Sequence, residues 1–252
     1  MTDCPTLPTD LYRTILEFIN FDERETLLSL LIVSKRMHRE AERRLYRTMD
    51  AEKTELQQAF LQRVTTSQRH ADLVKYYAFC PMHNLDGQLI DLIASGLRAM
   101  RNLVSLSFST WAQSCARHTL SGCKFPHLRS FQWECGQDEN ELVLFFQDHP
   151  QVERLKVYWG EGIILPPGLL PNLRVLEGRN TFIKAFLPGR YVTHLRWAYE
   201  WNDDPDIAVL DALNANVRVL SLGGITPRRE FCFIAGHLQQ LEILEMAELT
   251  LI

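Results

Sequence analysis

One short signature recurs eight times between residues 74 and 246: an apolar residue, two others, a second apolar residue, one other, and a third residue that is usually large. It is read at Val74-x-x-Tyr77-x-Phe79, Leu103-x-x-Leu106-x-Phe108, Leu128-x-x-Phe131-x-Trp133 and Val152-x-x-Leu155-x-Val157. It returns at Leu173-x-x-Leu176-x-Gly178, Val192-x-x-Leu195-x-Trp197, Val217-x-x-Leu220-x-Leu222 and Leu241-x-x-Leu244-x-Met246. The interval is about 19 to 29 residues. A fixed period of that size marks stacked supersecondary units, each unable to bury its apolar face alone. The alternation inside the signature is that of a strand.

Between these strands lie segments with helix starts. Asp86 precedes LIDLIASGL, Asp138 to Glu141 forms a capping box before LVLFF, Asp203 or Asp204 precedes Pro205 and IAVLDAL, and Thr226-Pro227 pairs a cap with a first-turn proline. Gly160 to Pro171 carries no helical pattern and is expected to be an extended loop. Strand and helix alternating along a chain predict a parallel sheet lined by helices. The expected class is therefore α/β, with about eight strands over 71–252. The last signature is followed closely by the apolar LTLI, where a stacked array calls for a polar cap, so the C-terminal cap is expected to be missing.

The N-terminal part has another rhythm. Pro8 and Thr9 open a helix, with Thr9 or Asp10 free to accept first-turn amide hydrogens. Leu11, Ile15, Leu16 and Ile19 then read as one apolar stripe. Leu27, Leu28, Leu30, Leu31 and Val33 predict a short, nearly buried second helix, and after Ser34 a charged third helix runs with Met37, Ala41, Leu45 and Met49 as its stripe. Three helices in about 40 residues cannot enclose this much apolar surface by themselves. Residues 1–49 are read as this helical domain, and 50–70 as a linker helix, with Leu56, Ala59, Phe60 and Val64 on its buried side, plus a connector.

The residues Leu7-Pro8, Leu11, Ile15-Leu16, the Leu-rich second helix, Val33-Ser34-Lys35 and Leu45-Tyr46 resemble an F-box, and the closing LYRTM is similar to fungal F-box proteins. The repeats behind it resemble the irregular leucine-rich repeats found after F-boxes. Many F-boxes carry Trp shortly after the lysine, where this chain has Met37-His38; regular repeats carry an asparagine after the strand, where this chain has Trp111, Gly136 and Gly160. The resemblance implies a three-helix bundle followed by a solenoid with a curved parallel sheet and helices on its convex side. It also implies docking to a Skp-family adaptor and through it to a cullin ubiquitin ligase, with Leu7, Pro8, Leu11, Ile15, Leu16, Val33 and Ser34 as the adaptor-facing set. An interaction scaffold without a ligase role is the alternative.

Strand geometry sends alternate side chains to opposite faces. With the signature residues inward, the residues between them line the other, concave face. Glu134, Arg154, Lys156, Tyr158, Glu177, His194 and Arg196 make a mixed charged and aromatic patch there, expected to bind an unknown protein target. Trp133 and Trp197 fall on inward positions and read as core.

Composition bounds the rest. The chain has 252 residues, 46% hydrophobic and 23% charged, with a net charge of -4, which argues against a general polyanion or nucleic-acid binder. No run of about 18 apolar residues occurs, so no membrane span is expected. Six cysteines without framework spacing predict reduced thiols and a cytoplasmic or nuclear location. Cys115, His118, Cys123, His127 and Cys135 cluster in one inter-repeat segment, but the gap between the two Cys–His pairs is too short for a familiar zinc finger, and no metal or other cofactor is expected. No phosphate loop or nucleophile elbow is present, and the expected role is non-enzymatic.

Overall fold

The computed structural model describes residues 8–20, 23–50, 53–80, 86–109, 118–134, 139–157, 166, 168–198, 207–223 and 235–247. Its centre is a nine-stranded, open, all-parallel sheet whose strands stand in strict chain order. The strands are β1 (Thr48–Asp50), β2 (Tyr76–Phe79), β3 (Ser105–Ser109), β4 (Ser130–Glu134), β5 (Arg154–Val157), β6 (Val175–Arg179), β7 (His194–Ala198), β8 (Val219–Gly223) and β9 (Ile243–Ala247). All eight signatures coincide with β2 to β9, and they stack in register: Tyr77, Leu106, Phe131, Leu155, Leu176, Leu195, Leu220 and Leu244 form one inward row. The first signature residue of each repeat lies just before its strand; from Val74 to Val217 it is buried.

The helices on the inward face supply the other half of the core. They are α4 (Thr54–Thr66), α5 (Gln68–Ala71), α6 (Gly87–Ala99), α7 (Glu139–Asp148), α8 (Asn180–Phe186) and α9 (Ile207–Asn216). Leu61 and Val64 of α4, Ile93 and Leu97 of α6, Phe146 of α7, Ile183 of α8 and Leu213 of α9 are buried together with the inward strand rows. The Asp86 carboxylate accepts from the Leu89 N–H at 2.7 Å, so the predicted cap forms. A run of rings threads the core from Phe79 through Phe108 to Trp133, and from Phe131 through Phe146 to Phe186, with successive centroids 4.7 to 5.8 Å apart. Each such side chain contributes roughly 1.5–3 kcal/mol by leaving water.

The structure departs from expectation in several places, each with a local cause. In α4, Leu56 and Ala59 are exposed; Phe60, Leu61 and Val64 join the main core, and buried Gln57 donates to the Ala78 carbonyl at 3.0 Å. The sheet gains a strand because α3 stops at Arg47; Thr48 is extended (φ -129, ψ 127), and Met49, expected on the helix stripe, packs into the sheet core instead. Helix α8 carries no side-chain cap and follows β6 directly, so no start signal marks it. Its Phe182 explains Gly178 in the fifth signature: a Cβ there would come within 2.8 Å of the Val157 carbonyl oxygen and 3.3 Å of the Phe182 Cβ. The strand gives up its side chain to the helix beside it.

Three further helices, α1 (Thr9–Glu17), α2 (Arg24–Leu30) and α3 (Lys35–Arg47), form a separate small cluster. Its buried apolar core is Leu16, Leu27 and Ala41, with Ile19, Leu30, Leu31, Met37 and Leu45 partly buried around it. Pro8, not Thr9, is the N-cap of α1, and its carbonyl accepts from Leu11 N–H at 3.0 Å. Ser34 caps α3 by accepting from Met37 N–H at 3.2 Å. His38 Nδ1 lies 2.8 Å from the Leu31 carbonyl, so Met37 and His38 pack and pin the α2–α3 turn.

The two parts are joined without a spacer. Helix α3 runs straight into β1, and buried Glu42 on α3 accepts from His70 Nε2 of α5 at 2.8 Å while also pairing with Arg69. Ser67 Oγ lies 2.7 Å from the other His70 nitrogen, and the Tyr46 ring sits 4.5 Å from the imidazole.

Candidate functional site

Two surfaces stand out, one on each part. In the helical unit α1 has two apolar faces rather than one stripe. Leu16 is 2% exposed and Ile19 half-buried, whereas Leu11, Ile15 and Phe18 are 46%, 48% and 83% exposed. These three are spaced i, i+4, i+7 and so share a face. Past α2, Ile32 and Val33 are 88% and 64% exposed, and Leu28 on α2 is also open, so the second segment is not the nearly buried one its sequence suggests.

Of the expected adaptor-facing set, Pro8, Leu11, Ile15, Val33 and Ser34 therefore lie at the surface. Leu16 does not; its side chain belongs to the core of the unit, clustered with Leu27 and Ala41. Leu7 lies outside the described residues. Phe18, Leu28 and Ile32 are exposed apolar side chains that the single-stripe reading overlooks, although the Leu11–Ile15–Phe18 spacing marks the first of them.

The second surface is the outward face of the sheet. The central outward row runs Ala78, Ser107, Gln132, Lys156, Glu177, Arg196, Ser221 and Glu245 across β2 to β9. Parallel in-register stacking makes Lys156, Glu177 and Arg196 direct neighbours. Lys156 Nζ sits 3.3 Å from Glu134 and 3.1 Å from Glu177, and Arg196 lies 3.6 Å from the other Glu177 oxygen. Glu134 also accepts from Ser109 Oγ and Gln132 Nε2, each at 2.8 Å. Four of the expected target-binding residues thus form one alternating chain of charge. Arg154 and His194 stand in the adjoining row, separated by Val175 on β6, both exposed; Thr193 Oγ1 lies 2.9 Å from His194 Nδ1. Tyr158 lies outside the described residues.

Cys123 is buried, its Sγ donates to the Thr119 carbonyl at 3.6 Å, and burial pushes its thiol up to about 12, so it stays protonated. His118 is turned toward Glu141 at 2.7 Å, and His127 is exposed. Cys115 and Cys135 lie outside the described residues. Among the described residues no group of three or more His, Cys, Asp or Glu side chains is placed to hold a metal ion, and no helix is long and apolar enough to cross a membrane.

His149 is another buried titratable group with a definite job. Its Nδ1–H donates to the Phe145 carbonyl at 2.6 Å and its Nε2 accepts from Phe125 N–H at 2.9 Å, which requires the neutral ring; burial lowers its pKa to match. No protein-family model matches the chain, and no curated protein is significantly similar to it.

Proposed function

We propose that this chain is the substrate-recognition subunit of a Skp–cullin–F-box ubiquitin ligase. In this reading α1 to α3 are an F-box that docks a Skp-family adaptor, and the sheet with its helices is an irregular leucine-rich-repeat solenoid whose outward strand face selects a protein target. Catalysis belongs to the partner subunits, and specificity follows from proximity.

One observation carries the reading. A unit of about 40 residues with three buried apolar side chains leaves Leu11, Ile15, Phe18, Ile32 and Val33 exposed, and no other described part of the chain covers them. Covering several such side chains offers roughly 1.5–3 kcal/mol each, set against the ordering and association costs of a complex.

The test is co-purification of the full chain with a Skp-family adaptor. Ile15→Asp combined with Val33→Asp places two charges on that surface while leaving the Leu16–Leu27–Ala41 core intact, so capture is expected to disappear with circular dichroism unchanged. Full capture by the folded double variant, or no capture by the natural sequence, rejects the assignment. The second result leaves an interaction scaffold, a reading supported by the direct run of α3 into β1, since the helices then simply begin the repeat array.

A further inference from the structure

Among the described residues, the alternating charges on the outward sheet face do not balance. On β4 to β7 that face carries two carboxylates, Glu134 and Glu177, and four permanent cations, Arg154, Lys156, Arg179 and Arg196. This local excess of positive charge sits on a chain whose net charge is -4. The carboxylates are already engaged: Glu134 by Ser109, Gln132 and Lys156, and Glu177 by Lys156 and Arg196. Lys156, held between both, is three-tenths exposed and spent within the protein.

Arg154 and Arg196 are differently placed. Arg196 has 63% of its side chain in water and meets Glu177 at 3.6 Å, beyond a good hydrogen bond, leaving its planar fork open. Arg154 is exposed and, among the described residues, has no ion-pair partner. The two stand two strands apart and two residues out of register, roughly 12 Å between Cα atoms at the usual strand spacings.

We infer that this face binds an acidic, extended segment of a partner protein, with Arg154 and Arg196 each taking a carboxylate. The inference rests on reading the sheet face as the target-binding surface, and does not depend on the adaptor. A nucleic-acid strand fits less well. Its phosphates recur at every nucleotide and would fall against Glu134 and Glu177, whereas a polypeptide can space its acids to miss them. Charge matching of this kind sets orientation and rejects wrong partners.

Fluorescence anisotropy at low salt with the full chain tests it, using a labelled peptide of alternating Asp and Ser, a Lys-and-Ser counterpart, and single-stranded oligothymidylate. Saturable binding of the acidic peptide is expected, with weakening by added salt and none for the basic peptide. Arg154→Glu with Arg196→Glu is expected to weaken it about tenfold or more. Arg101→Glu, an exposed change off this face, is expected to leave it within about twofold. Absence of acidic-peptide binding, equal loss in the Arg101 variant, or tighter binding of the oligonucleotide overturns the inference. Adaptor capture by the same variants separates the outcomes: captured protein that ignores the acidic peptide defeats this inference alone, and loss of capture by the natural sequence defeats only the ligase assignment.

Discussion

In the helical unit, one turn of α1 sends Leu16 into a core of three residues and leaves Ile15 beside it in solvent; in the sheet, every signature residue from Tyr77 to Leu222 except Gly178, which has no side chain to place, meets a helix or a neighbouring strand. Both parts are rich in leucine and isoleucine, so composition does not separate them. Geometry does. A strand offers alternate residues to one side, and nine strands in register make those residues a continuous sheet that helices can cover. Three short helices expose too much perimeter for the few residues they enclose. The first part holds its shape with apolar side chains to spare; among its described residues the second exposes only scattered ones, Leu56, Tyr76, Leu144 and Tyr191, and a group at β9, Ile243, Leu244 and Met246. Its outward face is polar instead. The contrast leaves apolar side chains in solvent at one end and charged ones on the sheet face of the rest.

The sharpest way to break this contrast is to treat the two parts alike. Trp133→Ala removes a fully buried ring from the sheet core and is expected to cost about 3–5 kcal/mol in urea unfolding of the intact chain. Next comes Gly178→Ala, whose methyl group has no room beside the Val157 carbonyl; a loss of about 1–3 kcal/mol is expected, and a neutral result would mean that α8 yields freely.

A smaller effect is expected from pH. His149 is neutral in the fold and its pKa lies below the ordinary value of 6.5, so the unfolded chain takes up the proton first as pH falls. Stability from this residue is thus complete above pH 6.5 and declines below it, at no more than about 1.4 kcal/mol per pH unit. Urea midpoints compared between the natural chain and His149→Gln should differ in slope across that window, and parallel slopes would remove His149 from the account. The smallest change belongs to the helical unit. Phe18→Ser is expected to shift stability by about 0.5 kcal/mol or less. A loss on the scale of the Trp133 variant would show that this ring is covered after all and would erase the contrast.

Much of this was legible beforehand. The eight signatures locate β2 to β9 and their register, because a period of two fixes both which residues point inward and how strands align. Trp133 and Trp197 fall inside as the spacing requires. The misses share one cause, which is brevity. Strand β1 has three residues and a single apolar one, so Met49 extends the preceding helical stripe as naturally as it starts a strand. Helices α5 and α8, with four and seven residues, are too short to show a helical period, and neither N-cap residue makes a side-chain cap hydrogen bond. In α1 the residues on two faces alternate so closely that Leu11, Ile15, Leu16 and Ile19 satisfy one broad stripe; only packing against α3 decides that Leu16 goes in. On the sheet, the positions of Glu134, Lys156, Glu177 and Arg196 follow from alternation, but their mutual pairing depends on register between strands far apart in sequence.

The uninterrupted passage from Arg47 to Thr48, clamped by Glu42 and His70, makes the molecule a bracket rather than two beads on a string. Whatever rests on α1 and α2 is held at a set angle to whatever rests on the strands. Helical pitch makes that angle sensitive to length: one residue added within α3 would swing the far end by about 100° and advance it by about 1.5 Å. A reaction that needs its two participants aimed at each other would tolerate substitutions on either surface better than a single insertion between them.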